Sequence, residues 1–430
     1  MKQAFALLLT IICTLCSMSC GGTVPSENVS DSTTYKPYKS TMTYHEVYDP
    51  DTDFDNRFGR GTPGMVEMED AYYFISTRGN YVYYYDKTAA ERGVLCGKPE
   101  CVHDEQEINE TCNGFVRASG NGHINFYSGK LYYTGYSDFA DSDIRQSLFA
   151  IDPDGANRER LFPFTCTFQY FPAGGAQVHR GKLYGGHSTT TVENADPQTT
   201  VNFSCWDLET GESKLIYERT GKTTTPLLKA FYFGKYVYLC DSYYCTEALE
   251  RGCNVDILRW DTEEEKLEII YHGENYSGVY YSIWVEEENR IFFAPMLDSD
   301  ASTAAKVYCL SDGAVSTAAE VAGNHCVFLI DNAFVFINLV ENAEERHAAI
   351  TDFEGNILYD GKWSFEALRE LPGEPDYGSP SAVYGDKDKL YIVYSVENER
   401  LAIGSWQCIV SYELRDGKIA DSKLLCVSKW

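Results

Sequence analysis

Four residues able to do chemistry stand close together in this chain. They are Cys96, Cys101 and His103, in the stretch Leu95-Cys96-Gly97-Lys98-Pro99-Glu100-Cys101-Val102-His103-Asp104, and then Cys112, followed by Asn113. Three thiolates and one imidazole suit Zn²⁺, which takes four such ligands in a tetrahedron. The same cysteines would pair as disulfides in an oxidising compartment, or stay free thiols in an anaerobic one. The C-x4-C-x-H-x8-C spacing matches no familiar zinc module, so these three states stay open at the level of sequence.

Two other groups of acidic residues invite a functional reading. Asp49, Asp51, Asp53 and Asp55 alternate as in a calcium loop, but counted from Asp49 an EF-hand needs Gly and Glu where Phe54 and Arg60 stand. A solvated acidic turn is the expectation there, with Ca²⁺ as the alternative. Asp138, Asp141, Asp143, Asp298 and Asp300 fall in polar connections and could serve a carbohydrate hydrolase or lyase. That chemistry needs two carboxylates roughly 5–9 Å apart, which a sequence cannot display. No G-x-S-x-G or H-E-x-x-H motif occurs, and Gly221-Lys222-Thr223 has Ile216 where a phosphate loop needs its first Gly. No residue is therefore assigned a catalytic role, and no cofactor other than a possible metal ion is expected.

The elements that must position these residues are strands. Gly122–Phe162 contains four short apolar runs separated by turn residues, the pattern of one antiparallel sheet. Variants of it follow one another from Gly64 to the C-terminus, in seven units of about 52 residues that start near 64, 122, 175, 227, 279, 324 and 379. LYYT, YVYL, IFFA and FVFI read as strands buried on both faces, and 33 Tyr with 22 Phe favour strands generally. The expected fold is all-β, a seven-bladed β-propeller of four-stranded antiparallel blades over residues 41–430. An aspartate closes the third strand of most units (Asp86, Asp152, Asp207, Asp261, Asp312, Asp352, Asp416), and such regular repetition marks a turn residue, not a catalyst.

Connections between the first and second strands, and between the third and fourth, are short; the others are often long. The long ones comprise Cys96–Asn121, Tyr136–Arg145, Gly185–Thr199, Asp241–Gly252, Leu297–Thr303 and Asp360–Pro380, and an up-and-down blade places them on one face. Long loops on a rigid scaffold are where binding residues gather, so Asp138, Asp141, Asp143, Tyr243, Tyr244, Asp298, Asp300 and Trp363 mark the candidate binding face. Trp363–Glu370 is expected to form a short helix, stopped by Pro372.

Residues 1–19 hold one Lys and an apolar run from Ala4 to Leu15 before Cys20, the outline of a lipoprotein signal peptide in which Cys20 is the lipid-modified residue. Residues 20–40 form a Gly, Ser and Thr-rich tether, and Thr41–Tyr48 is expected to be a strand. A formal charge of −28 argues against nucleic acid and anionic membrane surfaces as partners of the folded body.

With the Leu95–Asn113 stretch following Tyr83–Asp86, the chain resembles a group of tethered lipoproteins from Gram-positive, often gut-dwelling, bacteria. These carry a propeller akin to that of low-density-lipoprotein-receptor-related proteins, and an LC-x-x-P-E-C-x-H…C-N stretch after a first YYYD strand is common among them. The resemblance implies no established activity, and this chain lacks the receptor family's YWTD signature. The expectation is a monomeric protein on the outer face of the bacterial cytoplasmic membrane, held there by its lipid anchor alone. It would bind an extracytoplasmic protein, peptide or glycan without catalysis. Alternatives are a carbohydrate-active propeller and a metal- or redox-responsive one acting through Cys96, Cys101, His103 and Cys112.

Overall fold

A computed structural model describes residues 47–58, 64–76, 80–103, 109–116, 123–136, 146–164, 176–193, 196–221, 223–245, 252–297, 304–323, 325–338, 346–375, 377–396 and 406–429. These form seven four-stranded antiparallel sheets, each built from consecutive strands, in a seven-bladed β-propeller. Blade 1 comprises β1 Met65–Glu67, β2 Ala71–Ile75, β3 Val82–Asp86 and β4 Glu91–Val94; blade 2 comprises β5 Ile124–Tyr127, β6 Lys130–Tyr136, β7 Gln146–Ile151 and β8 Glu159–Pro163. Blade 3 contains β9 Gln177–His179, β10 Lys182–Glu193, β11 Asp196–Asp207 and β12 Ser213–Gly221; blade 4 contains β13 Thr223–Phe233, β14 Tyr236–Cys245, β15 Cys253–Asp261 and β16 Lys266–Tyr276. Blade 5 has β17 Val279–Glu287, β18 Arg290–Leu297, β19 Ala305–Ser311 and β20 Ala314–Val321; blade 6 has β21 His325–Ile330, β22 Ala333–Asn338, β23 His347–Thr351 and β24 Ile357–Lys362. Blade 7 has β25 Ser379–Gly385, β26 Lys389–Val396, β27 Trp406–Arg415 and β28 Lys418–Lys429.

The sheets stack face to face, so inner strands such as β7 and β21 are buried at every position. Outer strands such as β12 and β20 are largely exposed or half-buried. The repeated aspartates hold the turns after the third strands. Asp86 accepts the Thr88 and Ala89 amides, Asp207 those of Glu209 and Thr210, Asp261 those of Glu263 and Glu264, and Asp352 those of Glu354 and Asn356. Each carboxylate satisfies amides that the tight turn leaves without strand partners.

The strand expected over Thr41–Tyr48 lies mostly outside the described residues; Asp49 and Asp51 are exposed in a turn as expected, whereas Asp53 and Asp55 are drawn toward arginines. Residues 47–58 run through the first hairpin turns of several blades and plug that end of the ring. The Ser128 amide donates to the Asp51 carbonyl and the Arg180 amide to the Thr52 carbonyl. Asn56, fully buried, exchanges hydrogen bonds with the backbone of Tyr232 at 2.6 and 3.0 Å. Asp53 accepts from the Arg180 Nε at 2.6 Å, and Asp55 takes the Arg57 guanidinium at 2.8 Å. Two of the four carboxylates of this segment, Asp53 and Asp55, are held by arginines, and the four are not among the described side chains that converge as metal ligands.

Ring closure uses packing in place of strand exchange, because blade 7 is complete with its own four strands. Phe58 of the plug packs against Tyr384 and Tyr391 of blade 7, in a cluster with Phe74 and Tyr83 of blade 1 and Ile409 and Leu425 of blade 7. Tyr72 and Tyr391 meet hydroxyl to hydroxyl at 3.2 Å, and Ser76 donates to Gln407 at 3.0 Å.

Two expected loops turn out otherwise. Gly185–Thr199 is mostly a hairpin, with β10 and β11 paired from Lys182↔Asp207 to Glu193↔Asp196. The threonines there, Thr189, Thr190, Thr191 and Thr199, are β-branched and suit a strand as well as a loop. The connection from blade 6 to blade 7 folds inward around a 3-10 helix, Glu366–Glu370, whose Leu368 is fully buried. Trp363 is accordingly corrected from binding-face residue to core residue. It is buried, and its Nε1 donates to the Tyr394 hydroxyl at 2.7 Å.

Candidate metal centre

The Cys/His loop leaves the outermost strand of blade 1 and returns beside its own starting point, because both of its ends hang on one residue of β3. The Leu95 amide donates to the Val82 carbonyl at 2.8 Å, and the Val82 amide donates to the Gly114 carbonyl at 2.7 Å. Cys96 and Cys112, the neighbours of these anchors, are thereby brought together. Gly114 permits the approach, since a Cβ there would stand 2.3 Å from the Leu95 oxygen. Between the anchors lie two tight turns. Cys101 donates to the Lys98 carbonyl across Pro99 and Glu100, with Pro at the position that its fixed φ suits, and Cys112 donates to the Asn109 carbonyl. The Asn109 side-chain amide donates to the Val102 carbonyl at 3.0 Å and to the Cys101 sulfur at 3.4 Å, tying the turns together.

The result gathers Cys96, Cys101, His103 and Cys112 with their four ligand atoms within 4.8 Å of one another. Among the described residues this is the one group of three or more such side chains that converges in this way. A tetrahedral Zn²⁺ with bonds of about 2.3 Å to sulfur has edges of about 3.8 Å, so the cage needs a contraction of about 1 Å at most. Cys112 is fully buried, while Cys96 and Cys101 are half-buried. Burial pushes the Cys96 thiol up, but this is outweighed by a hydrogen bond from His103 and by the Lys98 and Asn113 amides, which bring it to about 6. Burial drives Cys112 to about 12. Of the two, Cys96 is drawn toward its thiolate and Cys112 is held toward its thiol.

The Cys96, Cys101 and Cys112 thiols are free, as are those at 205, 240, 309, 326, 408 and 426. Cys240 and Cys253, expected around a long loop, lie buried in β14 and β15. In strands such as these, cysteine packs as a small apolar side chain.

The loop does not stand free on the long-loop face. Its described part lies against the turn between β7 and β8 of blade 2, where the Gly97 amide and the Asn113 side chain both donate to the Gly155 carbonyl at 2.9 Å. Arg158 donates to the Cys112 carbonyl at 3.3 Å. Gly155 has φ +80° and a Cβ there would lie 2.7 Å from the Cys96 and Gly97 nitrogens, so only glycine fits. Val82, Asn109 and Gly155 support the site yet lie outside the C-x4-C-x-H-x8-C pattern. The turn chemistry of Asp154-Gly155 was a legible signal; the pairing of that turn with the loop was not.

The remaining candidate residues separate. Tyr243 is half-buried on β14, stacks under the Arg219 guanidinium at 3.8 Å and donates to Asp256 at 3.2 Å. Tyr244 donates to the Gly278 carbonyl at 2.6 Å. Asp138, Asp141, Asp143, Asp298, Asp300 and Cys20 lie outside the described residues. A polar chain missed by the sequence reading surrounds Tyr243. Arg219 of β12 forks onto buried Asp241 at 2.5 and 2.9 Å, Tyr217 donates to the same carboxylate at 2.8 Å, and His272 of β16 donates to Asp256 at 2.5 Å. These residues come from four strands of two blades, and nothing in their local sequence links them.

No protein-family model matches the chain, and no curated protein matches it. Among solved structures, an oligogalacturonate lyase in complex with manganese is similar at 11% identity and a TM-score of 0.45, covering 84% of this chain and 92% of that one. A puromycin-hydrolysing peptidase of Mycobacterium tuberculosis is similar at 11% identity and a TM-score of 0.45, with 91% of this chain spanning 56% of that one. The β-propeller domain of the Trilobed protease from Pyrococcus furiosus is similar at 13% identity and a TM-score of 0.38, over 69% of this chain and 94% of that one. At these values the likenesses say nothing of activity, and what they have in common with this chain is architecture.

Proposed function

We propose that this protein is an exported, lipid-anchored propeller of the kind its signal and Leu95–Asn113 motif resemble. In this reading it holds one Zn²⁺ at Cys96, Cys101, His103 and Cys112, and it binds an extracytoplasmic protein, peptide or glycan without catalysis. The observation that carries the binding role is the extra length of blades 3 and 4. β10 and β11 have 12 residues each and β13 has 11, against 3–5 in the strands of blade 1. Their first hairpin turns are level with the plug, so the surplus projects from the opposite end of the ring. At about 3.3 Å per residue, six surplus residues raise a wall of roughly 20 Å. The Arg219, Asp241, Tyr243, Asp256 and His272 chain runs along it, offering a half-exposed imidazole and a cation–π platform.

Val47 lies against Arg180 and Gly234 at the first hairpin turns. The first strands offer little for a hydrolase. Glu67 is held by Lys87 and Tyr391, and Glu286 by Arg290.

Three measurements test this reading. Cys20→Ala should abolish incorporation of labelled fatty acid in the producing cell. The chain purified under reducing conditions should contain one zinc, lost in Cys96→Ser. Immobilised glycan and peptide arrays should show binding that falls at least tenfold in Tyr243→Ala; binding indifferent to the wall, or release of cleaved glycan, would overturn the non-catalytic binding role.

A further inference from the structure

The metal cluster lies against the junction of the first and last blades. A propeller whose last blade borrows a strand from the first is locked by a hydrogen-bonded ladder; here blades 1 and 7 are each built from their own four strands, and no strand crosses among the described residues. What crosses is a handful of side chains. Besides the Tyr72–Tyr391 and Ser76–Gln407 contacts, Lys389 donates to the Tyr72 hydroxyl at 2.7 Å, Ser428 to Tyr83 at 3.4 Å, and Arg92 of β4 to the Leu424 carbonyl at 3.1 Å. The Tyr391 hydroxyl also donates to Glu67 at 2.9 Å, and an apolar cluster joins Phe74, Tyr83 and Phe115 to Val393, Ile409 and Leu425.

Three of the four metal-capable side chains belong to that cluster. Cys112 is a fully buried member, and Cys96 and Cys101 pack onto it. Phe115 and Tyr81, ring to ring at 5.9 Å, carry the contact from the loop into blade 1, and Tyr81 also meets the His103 ring at 6.4 Å. On its other side the loop is bonded to blade 2 through Gly155 and Arg158. Among the described residues of the loop, 96–103 and 109–112, there is no strand, so the turns, the bonds to blade 2 and the Cys/His cluster together offset the conformational entropy of ordering it.

We infer that metal bound at Cys96, Cys101, His103 and Cys112 closes the ring, standing in for the missing strand exchange. By ordering the loop it braces β3 and β4 against β28 and ties blade 1 to blade 2. Binding energy at a site that exists only in the ordered state becomes stability of that state. This rests on the zinc reading above, and the experiment separates the two.

Hydrogen exchange is followed by mass spectrometry on the full chain in three forms: loaded with Zn²⁺, stripped with a chelator, and stripped then reloaded. The expected result is at least tenfold faster exchange in β1–β4 and β25–β28 after stripping, little change in β13–β20, and recovery on reloading. Cys101→Ser should reproduce the stripped pattern; should that variant not fold, stripping and reloading of the native chain decides. A chain that binds zinc but exchanges equally at the seam with and without it, or loosens uniformly in all blades, overturns ring closure and leaves the zinc reading intact. A chain that takes up no zinc removes both.

Discussion

At the scale of the residue, the most consequential side chains are polar groups held inside the ring. His179 is fully buried; its Nδ1 accepts the Phe54 amide at 3.1 Å and its Nε2–H donates to the Gly234 carbonyl at 2.8 Å, so it is neutral and pins the plug. Burial lowers it to about 4, against the pull of Asp53, and burial with nearby Lys229 lowers His123 to about 4 as well. Both lie below the 6.5 of an unfolded histidine, so the unfolded chain takes up protons first. The stabilisation is complete above about pH 6.5 and is lost as the pH falls toward 4. Each histidine should make the chain about 2 kcal/mol less stable at about pH 5 than at about pH 7.5. Urea unfolding at the two pH values checks this, and a slope unchanged in His179→Asn would refute the assignment. Arg57, equally buried, sits among Asp55, Glu67 and Asp386 at 2.8, 3.5 and 3.8 Å. Truncation to Ala strands those carboxylates and should cost about 3–5 kcal/mol, read as a shift of the unfolding midpoint; a loss under about 1 kcal/mol would show that the network relaxes or fills with water.

At the scale of the element, the Cys/His loop and the plug both depend on close backbone approach. Gly155→Ala forces a Cβ onto the Cys96 and Gly97 nitrogens and strains a positive φ. It should therefore cost about 1–3 kcal/mol and weaken zinc retention in a competition with a chelator, while leaving the wall of blades 3 and 4 intact. Retention equal to the native chain would detach the blade 2 turn from the site. Phe58→Ala removes a fully buried ring at the junction of the plug with blade 7 and should lose about 3–5 kcal/mol, measured by thermal unfolding. The strands themselves were legible because burial on both faces demands runs such as FVFI and YVYL. The plug was not, because Asp53 and Asp55 look as solvated as Asp49 and Asp51 until Arg180 of blade 3 is seen to take Asp53 and buried Arg57 to take Asp55. Trp363 misled for a related reason: an aromatic in a long connection looks exposed until the connection is seen folded over Tyr394.

At the scale of the whole molecule, 64 acidic and 36 basic residues give a net charge of −28, and the acids crowd the surface turns. Self-repulsion of that size is screened within about 10 Å at 0.1 M salt. The urea midpoint should therefore rise as NaCl goes from about 0.02 to about 0.2 M, and a flat or falling response would place the charges in attractive pairs instead.

Composition, strand period and turn punctuation determined the propeller, its seven blades and the nearness of three thiols to one imidazole, because these follow from contacts within about 50 residues. Tertiary structure alone decided that the four ligands converge, that an arginine-bound segment lies across the first hairpin turns, that β10, β11 and the strands of blade 4 are long, and that the ring closes without a shared strand among the described residues. Each of those depends on which distant side chains a residue meets, and a linear pattern of apolar and polar positions holds no record of that.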